Sequence, residues 1–190
     1  MSTDPSVRIE HDLLGDREVP ADAYYGVHTL RARENFGITG TPISIYPELI
    51  RALASIKQAA ALTNHELGLL DQRRCDAIVC ACQEVQGGRL HEQFVVDVIQ
   101  GGAGTSTNMN ANEVIANLAL EHLGHDKGDY AVVHPNDHVN ASQSTNDVYP
   151  SALRLALWEK SGQLQPQLTA LRQSLEAKAE QFAGLSLIHI

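Results

Sequence analysis

The chain has 190 residues, 43% of them apolar, and a formal net charge of −9. That suits one domain with a real core, or part of a larger fold. The acidic balance argues against nucleic acid and against anionic membrane surfaces, which attract basic patches; it leaves room for a small anionic ligand, which needs only a few local donors. The opening MSTDPSVRIEHDLLGD has no apolar run of signal-peptide type, and no stretch approaches the roughly 20 apolar residues of a membrane span, so a cytoplasmic location is expected.

Residues 1–46 carry little helical periodicity. Gly15, Pro20, Gly26, Gly37, Gly40 and Pro42 punctuate them, which predicts loops and short extended pieces. A helix is expected from Pro47, a residue suited to a first helical turn, because Leu49, Ile50, Leu53, Ile56 and Ala60 follow at helical spacing; it should end near Gly68. A second should cover about Asp71 to Val85 and stop before Gly87-Gly88. A third is expected after the glycine-rich stretch, with Val114, Ile115, Leu118 and Leu120, ending near Gly124. From Asn146 the pattern lengthens. Leu153, Leu157, Leu164, Leu168, Leu171 and Leu175 step by four, seven, four, three and four, close to a heptad seam. Gly162 and Pro166 interrupt it, and Pro166 is expected to kink or split the helix.

The expected fold is therefore mostly α: a loop-rich N-terminal domain with short helices over residues 1–141, then the start of a helical bundle over 142–190. A long apolar seam needs partners of matching length. The chain supplies few, so they should come from further sequence or from other subunits. Cys75, Cys80 and Cys82 cluster on one expected helix, and their odd number argues against a disulfide framework. Cys75 and Cys82 lie seven apart and share a face. No fourth ligand is suitably spaced for zinc, which leaves buried reduced thiols.

Two polar stretches stand out. QGGAGTSTNMNANE, Gln100 to Glu113, is crowded with glycines, hydroxyls and asparagines yet has no lysine or arginine. A Walker loop needs a lysine after its second glycine, and none lies between His91 and Glu121. A Rossmann turn fits Gly102 and Gly104, but Thr107 stands where the third glycine belongs. HPNDHVNASQSTNDVYP, His134 to Pro150, is also rich in short donors and precedes the long helix. Each stretch leads into a helix N-terminus, where unpaired N–H groups and a partial positive charge can hold a carboxylate without a full cation. The plainer reading is capping, but a cap needs one such residue rather than a run. His134 and His138 have no clear metal-ligand spacing with Asn136 and Asp137, and His122 and His125 fit a solvated helix face.

GGAGTSTNMNANEVIAN and HPNDHVNASQSTNDVYP resemble the first two characteristic regions of the aspartase/fumarase superfamily. VPADAYYGVHTLRARENFGI, Val19 to Ile38, resembles the N-terminal segment of its aspartate ammonia-lyase branch. Class II fumarases generally carry a tryptophan and Gly-Ala-Gln-Thr where this chain has Tyr25-Gly26-Val27-His28-Thr29. The resemblance covers about residues 8 to 184. It implies a helical three-domain subunit, a homotetramer built on a long central helical bundle, and reversible elimination of ammonia from L-aspartate to give fumarate.

By the same resemblance, Thr105, Ser144, Thr145 and Asn146 are substrate-binding residues, and His134, Asn136 and Asp137 match a second carboxylate site of fumarases. No organic cofactor is implied, although some members are activated by a divalent metal. The region that carries the catalytic serine in the family has no counterpart here. The ending LSLIHI also departs from the pattern, so the chain reads as an N-terminal fragment, inactive alone. The alternatives are a fumarase-type hydratase and a non-catalytic helical assembly protein of the same fold.

Overall fold

A computed structural model describes residues 6–100 and 102–186; Gly101 and the last residues of the off-pattern ending lie outside the described residues. Val7–Asp12 (β1) and Gly15–Pro20 (β2) pair as an antiparallel hairpin, with Asp12 opposite Gly15. Val27–Asn35 (α1) follows, in a region where punctuation alone predicts no helix. α1 has no side-chain cap from its own N-cap residue and no acid in its first turn. Its cap comes from Glu113, distant in the chain. Glu113 Oε2 accepts from the backbone N–H of Gly26 (2.8 Å) and Thr29 (3.1 Å), and Oε1 from that of His28 (2.8 Å). A carboxylate there satisfies orphan donors and complements the helix dipole.

Pro47–Glu66 (α2) and Gln72–Gln86 (α3) pack side by side, close to the expected bounds. Asp71 caps α3 by accepting from the Arg74 N–H at 3.0 Å. Cys75 and Cys82 lie on the buried face, whereas Cys80 is exposed. The expectation of three buried thiols therefore fails at Cys80, whose position is off the seven-residue stripe that faces the core.

Thr105–His122 (α4) is the central helix. It starts inside the polar stretch, nine residues before Val114, so most of that stretch is helix rather than loop. Every residue from Thr107 to Leu120 is buried, because α1, α2, α3 and the following segments surround it. The helix ends at His122. His125 lies beyond it with Nδ1 at 2.8 Å from Asp129, while His122 Nε2 is 2.8 Å from Glu84, so the two histidines do not share a solvated face.

A wide single turn, Pro135–Val139, leads to Thr145–Gln181 (α5), 37 residues or about 55 Å long. α5 runs unbroken through Pro166, contrary to the expected split. The residue four places earlier is Gly162, whose backbone yields most readily to the proline ring. Near its start α5 buries Val148, Ala152 and Ala156 and packs on α2, where Lys160 Nζ donates to Glu48 Oε1 at 3.1 Å and Arg51 pairs with Glu159. Beyond this anchorage, residues 161–181 are exposed.

Candidate active site

The glycine turn brings two helix N-termini together. Gly102 and Gly104 have φ of +77° and +84°, the left-handed region that favours glycine. Gly104 also has no room for a side chain: a Cβ there would lie 2.4 Å from Cγ of Tyr149, in the second turn of α5. The start of α4 therefore rests against the start of α5 only because residue 104 is glycine.

The hydroxyls of this turn divide. Thr107 points inward, and Gln100 caps it twice: Oε1 accepts from the Thr107 N–H at 2.9 Å, and Nε2 donates to Thr107 Oγ1 at 2.5 Å. Thr105 is exposed and lines a cleft with His28, Arg31, Ser106 and Met109. Arg31 in that cleft is engaged bidentately with Asp12 at 2.7 and 2.8 Å. His28 Nδ1 lies 3.0 Å from Glu113, which holds the imidazole above its ordinary pKa.

At α5, Ser144 is the N-cap, its Oγ accepting from the Asn146 N–H at 3.2 Å. Thr145 Oγ1 accepts from Asn108 Nδ2 at 3.1 Å. In both residues the hydroxyl accepts a bond and keeps its own O–H to give, so capping and ligand binding are compatible. Asn146 is exposed in a cleft shared with Gly102, Gly104 and Tyr149. The structure thus joins Thr145 to α4 and sets Asn146 beside the glycine turn, while Thr105 lines a separate cleft.

His134, Asn136 and Asp137 fall on the wide turn before α5. His134 Nδ1 accepts from the N–H groups of Asn136 (3.1 Å) and Asp137 (3.2 Å). Two donors at Nδ1 place the ring proton on Nε2. Asn136 and Asp137 are exposed, and the Asp137 carboxylate lies 3.6 Å from His134 Nδ1. Among the described residues, no three His, Cys, Asp or Glu side chains gather in a way that could hold a metal ion.

Behind Thr145 lies a network that the sequence reading did not single out. Lys57 is fully buried on α2, and Nζ donates to Asn140 Oδ1 at 2.7 Å and to Gln143 Oε1 at 2.9 Å. Burial pushes its pKa down to about 7. Asn108 Nδ2 donates to the same Asn140 oxygen at 3.0 Å. The available signal was a single lysine on the face Leu49, Ile50, Leu53, Lys57, Ala61 of an otherwise apolar stripe. A second missed group is the carboxylate pair Glu10 and Glu113. Burial raises the Glu10 pKa, Arg8 opposes the rise, and the Tyr130 O–H donates to Glu10 Oε1 at 3.1 Å.

A lyase family model matches residues 15–188, most of the chain. The chain belongs to this lyase family. It is 58% identical over 185 residues to an aspartate ammonia-lyase of Pseudomonas aeruginosa, an alignment that covers 97% of the chain and 39% of the relative. A crystal structure of fumarate lyase:delta crystallin from Brucella melitensis in native form superposes with a TM-score of 0.91 at 56% identity, covering 93% of this chain and 41% of that one. A recombinant class II fumarase from Schistosoma mansoni superposes with a TM-score of 0.85 at 37% identity, covering 92% and 37%. The helical lyase fold is thus shared with both, and the chain spans about two-fifths of the length of these relatives.

Proposed function

We propose that this chain is the N-terminal part of an aspartate ammonia-lyase, which reversibly converts L-aspartate to fumarate and ammonia. The observation that carries the reading is the meeting of the α4 and α5 N-termini at Gly104 and Tyr149, with Thr145 bonded to Asn108 of α4, Asn146 beside the glycine turn and Thr105 in a second cleft at the start of α4. The identity of 58% to an aspartate ammonia-lyase, against 37% to a class II fumarase, favours the ammonia-lyase over the hydratase.

In the proposed reaction a base takes a proton from the carbon beside one carboxylate. The electron pair moves into that carboxylate, which gains a second negative charge. It then returns to form the carbon–carbon double bond as ammonia leaves. Donors fixed around the carboxylate bind the doubly charged state more strongly than the ground state, which is what lowers the barrier. Thr105, Ser144 and Thr145 supply hydroxyl donors, and Asn146 assists at the amino group. The base belongs to sequence beyond this fragment. His134, Asn136 and Asp137 form a second carboxylate subsite through the Nε2–H of His134.

In the same reading, residues 142–190 begin a central bundle whose other helices come from the rest of the chain and from three further subunits. The exposed Leu164, Leu168, Leu171 and Leu175 support this. The deciding experiment offers the full-length protein L-aspartate and, separately, L-malate, and follows fumarate by ultraviolet absorbance. Fumarate from L-aspartate is expected. Fumarate from L-malate alone would assign a hydratase, and none from either would assign a non-catalytic assembly protein.

A further inference from the structure

We propose that Lys57, Asn140 and Asn108 form a relay that fixes the Thr145 hydroxyl as a donor toward the substrate, an inference that rests on the substrate site proposed above. Lys57 Nζ faces Asn140 Oδ1 at 2.7 Å and Gln143 Oε1 at 2.9 Å, and it can donate to both as the ammonium or as the neutral amine. Backbone carbonyls, which only accept, fix both amides independently. Asn140 Nδ2 donates to the Gln143 carbonyl at 3.2 Å, and Gln143 Nε2 donates to the Val139 and Ala141 carbonyls at 2.8 and 3.2 Å.

With Asn140 Oδ1 an acceptor, the Asn108 atom 3.0 Å from it must be the amide nitrogen. That nitrogen also faces Thr145 Oγ1 at 3.1 Å, so Thr145 accepts there and its proton points elsewhere. Asn108 is 1% exposed, and its Oδ1 is buried without a hydrogen-bond partner. A flipped amide would set two oxygens against each other at Asn140, so the unpaired oxygen is the cost of holding this polarity. Asn64 braces the loop, with Nδ2 donating to the Ala141 carbonyl at 2.9 Å. Lys57 and Asn108 are positioning residues: each acts on the substrate only through Thr145.

A double-mutant cycle in the full-length enzyme tests the relay, with kcat for L-aspartate as the readout. Thr145→Val is expected to lose roughly 10²–10³ in kcat. Asn108→Leu keeps the shape, frees the Thr145 hydroxyl to rotate, and is expected to lose about tenfold or more. The double variant should be no slower than Thr145→Val alone, because Asn108 has no other route to the substrate. A purely structural role multiplies the two losses instead, and that outcome overturns the relay. Lys57→Met, cycled with Thr145→Val, reads the same coupling where Asn108→Leu does not yield folded enzyme. A normal rate for Thr145→Val alone would sink the substrate site itself, whereas a slow Thr145→Val with multiplicative losses would sink only the relay.

Discussion

In the first half of α4, Asn108, Asn110, Asn112 and Glu113 are at most 1% exposed; in the second half of α5, Leu164, Leu168, Leu171 and Leu175 are 56–62% exposed. The two segments depart from ordinary burial in opposite directions. α4 settles most of its departure within the chain, the Oδ1 atoms of Asn108 and Asn112 excepted. Asn110 accepts from the Val95 N–H at 2.9 Å and donates to the Gln93 carbonyl at 3.0 Å. Asn117 donates to the Tyr24 carbonyl and accepts from the Gly128 N–H, each at 2.8 Å. Buried amides so placed tie the loops around α4 to one another, because an unmatched polar group there is costly. α5 has no such settlement among the described residues, and its leucine stripe needs a partner helix. In the proposed function, one segment organises the site and the other is a surface for assembly.

The largest expected effect comes from breaking the polar interior of α4. Glu113→Ala leaves the N–H groups of Gly26, His28 and Thr29 without their acceptor. The expected loss is about 3–5 kcal/mol of folding stability, read by urea unfolding. A loss below about 1 kcal/mol would mean that α1 does not depend on this distant cap.

Lys57 sharpens the same side of the comparison through pH. Its folded pKa is depressed to about 7 from 10.5, so the unfolded chain binds more protons between those values. Stability therefore rises with pH in that window, by about 1.5 kcal/mol between roughly pH 7 and 8.5, and the full penalty is present below the folded value. Lys57→Met should flatten this rise. An unchanged slope would place the proton uptake on another group.

The α5 seam should show the smallest effect on stability and a clear one on association. Light scattering on the chain is expected to give species well above 20.7 kDa. Replacing Leu164, Leu168, Leu171 and Leu175 by Gln should return it to that mass, with stability changed by no more than about 0.5 kcal/mol per site. A clean monomer before substitution would show that the seam needs no partner.

The comparison also explains what could be read from sequence. α2, α3 and the α5 seam were legible because each has one apolar stripe, and a stripe at helical spacing is a local signal. The start of α4 was not. A helix buried on every side has no periodicity, and Thr, Asn and Gly are poor helix formers that read as loop. α1 was hidden for another reason: its cap, Glu113, lies more than eighty residues away. At the candidate site, the run of hydroxyls and amides pointed to the α4 and α5 termini, but not to the supports behind them. Lys57 looked like one lysine in an apolar helix, and only the fold places Asn140 and Asn108 in line with it.

The central claim is that the N-termini of α4 and α5 hold a substrate carboxylate rather than merely cap two helices. Paired measurement of the thermal midpoint and kcat for Thr145→Val in the full-length enzyme tests it most directly. Thr145→Val is expected to lose roughly 10²–10³ in both kcat and kcat/KM, because the donor acts on charge that develops in the transition state, with only a modest fall in the midpoint from the Asn108 N–H left without its acceptor. A lowered midpoint with a normal rate, the mark of a helix-end contact that contributes about 0.5–2 kcal/mol to stability alone, would contradict it.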